Sequence, residues 1–391
     1  MKFLLIYVPN LRFREFHTEW EKIQIGNLIK ERKEYTSDFE KYPLYSFTIE
    51  SGITPKSDRY ERSFLVKKEG DLFKIVHQND FVMNPMNLRF GALNYSKINQ
   101  TVSVSGYYDI FTIDACKYNE FWNAYLKTPR MLYTYNTIAT GSLVEKKRVY
   151  FKQLKELKMC IPSEMEKNKI NEFINLLNEK IQTQNKIIDD LVLQKKYIIS
   201  SLLKSIQDNE KIMLKDILFD YNIKTTINNE YPVLSSTASG MYLQSDYFNK
   251  ETSSDNTIGY KIVPRGYCTY RSMSDTGLFT FNIQNLVEKG IVSPAYPVFS
   301  SNDDYINEFI ILYLNNSSYI KKQILELKSG GTRFALPFST LCTLKIPKLE
   351  KEKQLSLIKT ITAFERKIEN EEIILNALHQ QKIFLLNNMF I

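Results

Sequence analysis

The sequence predicts an α/β fold built by duplication: two mixed α/β globular domains joined by two long antiparallel coiled-coil helices with pseudo-two-fold symmetry. Three observations predict this fold. A heptad pattern extends over about 40 residues at two places in the chain. The two patterns are related by a shift of 187 positions. The segments that precede them share short motifs at almost the same shift, which is typical of an internal repeat.

The first heptad pattern lies in residues 165–204, which contain neither Pro nor Gly. Alternating steps of four and three residues give Ile170, Ile174, Leu177, Ile181, Gln184, Ile188, Leu191, Lys195, Ile198 and Leu202. At about 1.5 Å per residue this predicts a helix roughly 60 Å long. Such a length is typical of a spacer that holds two domains apart, because globular helices are much shorter.

The second heptad pattern repeats the first, including its two polar interruptions. The shift gives Leu357, Ile361, Phe364, Ile368, Glu371, Leu375, Leu378, Lys382, Leu385 and Met389. We expect a seam made by the apolar members Ile174, Leu177, Ile181, Ile188, Leu191, Ile361, Phe364, Ile368, Leu375 and Leu378. The alternative is a long helix buried in an ordinary core, but interior helices seldom keep a 3.5-residue repeat for so long.

The globular segments before the helices are also copies. Residues 21–23 (EKI) recur as 210–212, Tyr42-Pro43 recurs as Tyr231-Pro232, and 73–76 (FKIV) recur as 260–263 (YKIV). Every shift lies between 187 and 189 positions. We therefore divide the chain into an arm (1–17), a first globular domain (18–160), a first helix (161–204), a linker (205–208), a second globular domain (209–345) and a second helix (346–391).

Within each globular domain, aromatic and β-branched residues predict short strands. We expect strands at 73–76, 81–83 and 107–113, and a helix at 117–127 with a counterpart at 303–315. Parallel pairing of the long helices would place both globular domains at one end, and the short linker makes that arrangement awkward. Antiparallel pairing is therefore expected.

Composition predicts a soluble globular protein. The 391 residues are 43% hydrophobic and 25% charged, and a formal charge of +8 permits a polyanionic partner without demonstrating one. The apolar run 3–8 is too short for a signal peptide or a membrane span, so we expect a cytoplasmic protein. The four cysteines are far apart and contain no CxxC pair, which argues against a zinc site or a disulfide framework.

The sequence resembles the DNA-specificity subunits of type I restriction-modification systems over nearly its whole length. The resemblance rests on the duplicated layout and on VPNLRFREF followed by Glu19-Trp20, FKIVHQNDFVMNPM, GIVSPAYPVF, Gly330-Gly331-Thr332-Arg333 leading to Phe338, and LKIPKLEKEKQLSLI. The family often has an acidic-glutamine pair near the start of each helix. Here residues 164–168 and Glu352-Lys353-Gln354 match that pair loosely.

The resemblance implies that the globular domains are target-recognition domains, each of which reads one half of a split double-stranded DNA sequence. The helix pair would fix the gap between the halves. It also implies a non-catalytic subunit that docks two methyltransferase subunits and two ATP-dependent restriction and translocation subunits. S-adenosylmethionine, ATP and magnesium would belong to those partners, and this chain would bind no cofactor.

The residues themselves do not indicate catalysis. Residues 84–87 (NPMN) lack the second Pro and the aromatic ring with which amino-methyltransferases hold a flipped adenine. The sequence has no Gly-rich nucleotide-binding turn, and His17, His77 and His379 have neither triad nor metal-ligand spacing. We expect these histidines to be surface or packing residues and expect no metal site.

Polar and basic residues in loops are the candidates for DNA contact. They are Ser46, Asn84, Asn87, Arg89, Lys146, Lys147 and Arg148 in the first domain and Ser235, Arg265, Arg271, Ser272 and Arg333 in the second. Arg pairs with guanine and Asn with adenine, so Arg89, Arg271 and Asn87 are candidates for base contact. Lys146, Lys147 and Arg148 suit phosphates. Any single one of these residues has the alternative of being a solvated loop charge.

Two other functions remain open from the sequence. A coiled-coil scaffold would bind proteins through its globular ends, and that binding would be insensitive to salt, whereas DNA binding weakens steeply with salt. A methyltransferase active alone would have to bind S-adenosylmethionine without partners.

Overall fold

The computed structural model describes residues 8–49, 52–55, 72–142, 147–247, 256–327 and 334–391, with the side chains of 246 and 247 excepted. The chain forms two compact units. Unit 1 contains Met1–Asn185 and Ile373–Ile391, and unit 2 contains Lys186–Glu372. Each unit therefore contains one globular domain and one half of each long helix.

Unit 1 is built on a four-stranded antiparallel sheet with strand order β2-β10-β7-β8. Beside it lie the three-stranded sheet β3-β6-β9, the hairpin β4-β5 and the pair β1-β11. The strands are β1 (Glu21–Gln24), β2 (Ile29–Arg32), β3 (Tyr35–Thr36), β4 (Tyr45–Thr48), β5 (Gly52–Pro55), β6 (Phe73–Val76), β7 (Phe81–Met83), β8 (Leu93–Tyr95), β9 (Val102–Val104), β10 (Asp109–Ile113) and β11 (Lys158–Ile161). The helices are α1 (Asn119–Tyr125), α2 (Pro129–Ile138), α3 (Phe151–Glu156) and α4 (Glu164–Ser205).

Unit 2 repeats this order, with the sheet β13-β21-β17-β19 corresponding to β2-β10-β7-β8. Its strands are β12 (Lys211–Met213), β13 (Leu218–Asp220), β14 (Leu234–Thr237), β15 (Gly240–Leu243), β16 (Lys261–Pro264), β17 (Cys268–Tyr270), β18 (Met273–Ser274), β19 (Phe281–Ile283), β20 (Lys289–Val292), β21 (Val298–Ser301), β22 (Phe334–Ala335) and β23 (Lys345–Pro347). Its helices are α5 (Gln244–Tyr247), α6 (Asn307–Asn316), α7 (Ser318–Glu326), α8 (Phe338–Leu341) and α9 (Lys351–Met389).

The duplication extends to single hydrogen bonds. The Val149 amide donates to the Pro85 carbonyl at 2.9 Å, and in unit 2 the Leu336 amide donates to the Ser272 carbonyl at 2.8 Å. Both members of the second bond lie 187 positions after those of the first. The predicted α/β duplication is thus confirmed, because the two units share strand order and backbone register.

Each unit has its own aromatic core, which the long helices help to close. In unit 1, buried residues of β7, β10 and α1 pack with Ile170 and Ile174 of α4 and with Met389 of α9. In unit 2, the core takes Ile199 and Leu203 from α4 and further apolar residues from α9. Strands β7 and β17 are buried along their whole length, so every position faces a packed layer rather than alternating with solvent.

The two long helices pair in opposite directions within each unit. Near the start of α4 the Asn178 Oδ1 accepts a hydrogen bond from Lys382 Nζ of α9 at 2.5 Å, and near its end Lys195 Nζ lies 3.0 Å from Glu365 Oε1. Every position of the two heptad seams is buried or half-buried. Helix α4 covers the heptad range 165–204 with one further residue at each end, and it begins three residues after the start expected for the first helix, residue 161.

Helices α2 and α7 were not expected from the sequence. The predicted helix at 117–127 is α1 at 119–125, and α2 follows it after three residues. Its counterpart α6 at 307–316 is likewise followed by α7. Among the described residues, none of the helices combines the length and the hydropathy that crossing a lipid bilayer requires.

Candidate nucleic-acid interface

The β7–β8 loop of unit 1, residues 84–92, is held in one shape by its own backbone. The Asn87 amide donates to the Asn84 carbonyl at 3.1 Å, and the Asn87 carbonyl accepts from Ala92. Gly91 closes the turn with φ of 87°, a conformation that side chains bearing a Cβ rarely adopt. Buried Leu88 anchors the loop in the core. The loop is therefore rigid enough to present side chains in fixed positions.

Among the candidates on this loop, Asn84 and Asn87 have different roles. The Asn84 side chain accepts from the Met86 amide at 3.1 Å, so it shapes the turn. Asn87 is exposed. Arg89 is half-buried and its guanidinium carbon lies 4.7 Å from the ring centre of Phe90, which is 57% exposed. Stacking on a ring fixes the plane of a guanidinium, which suits bidentate pairing with a base edge.

Lys147 and Arg148 lie beside this loop although about 60 residues separate them in sequence. Arg148 exchanges two 2.9 Å backbone hydrogen bonds with Thr140, and the next residue, Val149, donates to Pro85 in the loop. The backbone next to Arg148 therefore runs beside Pro85, in the same loop as Asn87 and Arg89. Lys146, which was predicted with them, lies outside the described residues.

Ser46 lies on a separate element, the β4-β5 hairpin, where it pairs with Thr54. Its neighbour Phe47 packs into a small core with Val82 of β7 and with Ala92, the last residue of the β7–β8 loop. Because successive strand residues point to opposite faces, Ser46 points away from that core. The hairpin supports the base of the loop, and its polar face remains half-buried.

The β17–β19 segment of unit 2, residues 271–280, corresponds to the β7–β8 loop. Arg271 is exposed at its start. Ser272 donates through Oγ to the Ala295 carbonyl at 2.8 Å, so its side chain holds the loop. Strand β18 of this segment pairs with β22, a pairing without a counterpart among the described strands of unit 1. Leu278 is 67% exposed at the position where unit 1 has a shorter turn.

The remaining unit 2 candidates lie elsewhere. Arg265 precedes β17 whereas Arg271 follows it, so the two arginines are at opposite ends of one strand. Arg265 Nε lies 2.9 Å from Glu288 Oε1, and its terminal nitrogen donates to the Asn285 carbonyl. Ser235 is on the hairpin β14-β15 opposite Tyr242. Arg333 lies outside the described residues.

His77 is half-buried and has two polar neighbours. Its Nε2 lies 2.8 Å from Glu34 Oε2, and Thr101 Oγ1 lies 3.4 Å from its Nδ1. His77 and Arg32 lower the pKa of the Glu34 carboxyl by hydrogen bonding to it. Glu34 and Thr101 are distant in sequence, so spacing gave no sign of this contact. Within the described part of the chain, no three His, Cys, Asp or Glu side chains converge as metal ligands.

Solved structures similar to this chain share the duplicated fold. The S subunit of a type I restriction-modification system from M. genitalium has a TM-score of 0.51 at 13% identity and covers 98% of this chain and 99% of its own. A chain from a study of complex assembly and conformational transition in the type I R-M system has a TM-score of 0.57 at 11% identity, covering 95% and 97%. No protein-family model and no curated protein sequence matches. The resemblance inferred from sequence is therefore confirmed at the level of the fold.

Proposed function

We propose that the chain is the DNA-specificity subunit of a type I restriction-modification complex. Each unit reads one half of a bipartite site in double-stranded DNA, and the paired helices fix the gap between the halves. The observation that carries the proposal is the pair of equivalent loops. A rigid backbone framework occurs twice, and each copy presents an arginine after the same strand, Arg89 after β7 and Arg271 after β17.

The two loops differ in the groups they present, so the two half-sites differ. The β7–β8 loop presents exposed Asn87 together with Arg89, a combination that suits adenine and guanine. The β17–β19 segment presents Arg271 and continues into β18. Lys147 and Arg148, beside the first loop, contact phosphates and set the position of unit 1 on the duplex. Arg265 bonds Glu288 at its own turn, so we assign it no phosphate contact in this arrangement.

The chain itself carries no catalytic step. It docks two methyltransferase subunits and two restriction and translocation subunits in the cytoplasm, and S-adenosylmethionine, ATP and magnesium bind to those partners. Both long helices support docking, because they carry large apolar side chains that point to solvent. Leu193 and Tyr197 of α4 and Ile373 and Phe384 of α9 are all more than half exposed. Such residues are typical of surfaces that a partner covers.

The test is to sequence adenine methylation in cells with and without this gene. One split motif, with two unlike halves and a fixed gap, should disappear on deletion and return on complementation. Binding of the purified methyltransferase complex to a duplex with that motif should weaken steeply between low and moderate salt. An unchanged methylation pattern, together with salt-insensitive binding to a protein partner, would instead support a scaffold.

A further inference from the structure

A cavity of about 360 Å³ lies within unit 1, where α1 and the start of α2 meet the two long helices. Apolar walls come from Ile174 of α4 and from Ile383 and Leu386 of α9. Two ammonium groups line it, Lys127 between α1 and α2 and Lys382 on α9. Neither lysine belongs to the candidate DNA-reading loops.

Neither ammonium group is neutralised by the protein. Among the residues described by the structure, the Lys127 side chain has no hydrogen-bond or ion-pair partner, and Lys382 donates to the neutral Asn178 amide. The carboxylate that lines the cavity, Glu120, is already engaged, because it accepts from Tyr95 Oη at 2.7 Å and pairs with Lys97. The cavity therefore has an excess of about two positive charges.

Unit 2 has the equivalent cavity, of about 290 Å³, but without this excess. Asn315 replaces Lys127, and its side chain is used to bond the backbone of Phe281. Lys195 replaces Lys382 and is paired with Glu365, which replaces Asn178. The two positive groups have thus been removed or neutralised in one copy and left available in the other.

We propose that the unit 1 cavity binds a phosphate group, held between the ammonium groups of Lys127 and Lys382. Hydrogen phosphate and phosphate monoesters carry about two negative charges near neutral pH, which matches the excess in the cavity. Each ammonium offers three donors to the oxygens of the ligand. The N-cap Thr128 and the first residue Pro129 of the ten-residue helix α2 also line the cavity, so the helix dipole adds to the attraction.

The charge state of Lys127 makes this binding depend on pH. Burial lowers the pKa of the Lys127 ammonium to about 8. The negative charge of Glu120 raises this pKa, and the positive charges of Lys382 and Lys97 lower it further. A bound anion favours the protonated form, so affinity is full below about pH 8 and falls as pH rises above it. Sulfate is the cleaner probe of this dependence, because its charge does not change over that range.

The experiment is calorimetric titration of the full chain with inorganic phosphate and with sulfate, at constant ionic strength set by chloride. Wild type should bind both anions at pH 7, and its affinity for sulfate should fall at least fivefold between pH 7.5 and 9.5. Lys127→Asn, which installs the residue found in unit 2, and Lys382→Met should each reduce affinity at least tenfold. Lys127→Arg should retain sulfate binding at pH 9.5, because a guanidinium stays charged.

The matched control is Lys195→Met, which removes the equivalent lysine of unit 2 and should leave anion binding unchanged. Equal affinities for wild type, Lys127→Asn and Lys195→Met would overturn the proposal. Titration in the presence of duplex DNA distinguishes two sources of phosphate. Displacement of the anion by DNA, with weaker DNA binding by Lys127→Asn, assigns the site to a backbone phosphate. Undisturbed anion binding assigns it to free phosphate or a small phosphate ester.

Discussion

One long helix begins in each unit, α4 in unit 1 and α9 in unit 2. A buried charged side chain fixes the start of α4, and a buried neutral amide fixes the start of α9. Lys167 is buried and donates to Asp114 Oδ2 at 2.8 Å and to Glu164 Oε1 at 2.7 Å. At the same position, buried Gln354 accepts from the Ile306 amide and donates to the carbonyls of Asp304 and Leu349.

The carboxylates that neutralise Lys167 are absent from unit 2, where Asn302 and Lys351 occupy their positions. The cavity shows a simpler difference, because Lys127 has no ion-pair partner among the described residues and Asn315 takes its position in unit 2. The framework was therefore copied with its backbone hydrogen bonds, whereas each group of polar residues changed as a set. Removing one partner of a buried ion pair is strongly destabilising, so Lys167 and its two carboxylates are expected to change together.

The largest effect on DNA recognition is expected from lengthening both long helices, because each helix runs through both units. One heptad inserted after Asn185 and one after Glu372, where each helix passes from one unit to the other, keeps both seams in phase. Each helix gains about 10 Å, which corresponds to about three base pairs at roughly 3.4 Å each. The methylated motif should keep both halves and acquire a wider gap.

A heptad inserted into only one helix is the control, since it leaves the two seams unequal in length and should disturb assembly. An unchanged gap after the double insertion would show that the helices do not set the spacing.

The heptad seams and the duplication could be predicted because both are periodic in the sequence. Each seam position is buried or half-buried, including Gln184 and Lys195. Helix α2 was missed, although Thr128 and Pro129 are a typical N-cap and first helical residue, because it begins only three residues after α1 ends. Its short length gave no sustained periodicity to detect.

The site was less predictable than the fold because contacts between distant residues assemble it. Arg89 and Arg271 were expected in matching loops from the shift alone. The placement of Arg148 beside the β7–β8 loop depends instead on the hydrogen bond from Val149 to Pro85. The cavity with Lys127 and Lys382 requires α1 and the end of α9 to meet, and no local pattern indicates that.

Placing a lysine in unit 2, at the position equivalent to Lys167, should cause the largest loss of stability. Gln354→Lys buries an ammonium that lacks the carboxylates of unit 1, and we expect a loss of about 3 to 5 kcal/mol in the free energy of unfolding. Adding Asn302→Asp and Lys351→Glu restores the missing partners and should recover most of the loss. Urea unfolding of the three variants measures this. A triple variant as unstable as the single one would contradict the view that the set acts together.

Removing the unit 1 cavity charge should instead stabilise the protein. The pKa of Lys127 is about 8 in the fold and higher in the unfolded chain, so the cost of its charge is fully present below pH 8. That cost disappears as pH rises towards the unfolded value of about 10.4. Without phosphate, Lys127→Met should be about 2 to 3 kcal/mol more stable than wild type at pH 7. The advantage should shrink by pH 9.5.

Lys322→Met, at an exposed position, is the matched control and should change stability little at either pH. A stability gain for Lys127→Met that is the same at pH 7 and pH 9.5 would mean that lost charge is not its cause.

The smallest effects are expected from the loops, where each change should affect only one half-site. Arg271→Ala removes an exposed side chain that forms no part of the framework, so folding should be unaffected and about 1 to 3 kcal/mol of binding should be lost. The loss should appear as relaxed sequence preference in one half of the motif, while the other half stays intact.

Arg89→Ala should produce the same change in the opposite half. Phe90→Ala should relax the sequence preference of that half less than Arg89→Ala does, because it removes only the ring that orients Arg89.

Binding to duplexes with every base varied at each half-site measures all three variants. Arg265→Ala serves as the control because its side chain is held by Glu288. If Arg271→Ala weakens binding to every duplex equally, then Arg271 contacts a phosphate, and the two loops do not share the role that their matching positions indicate.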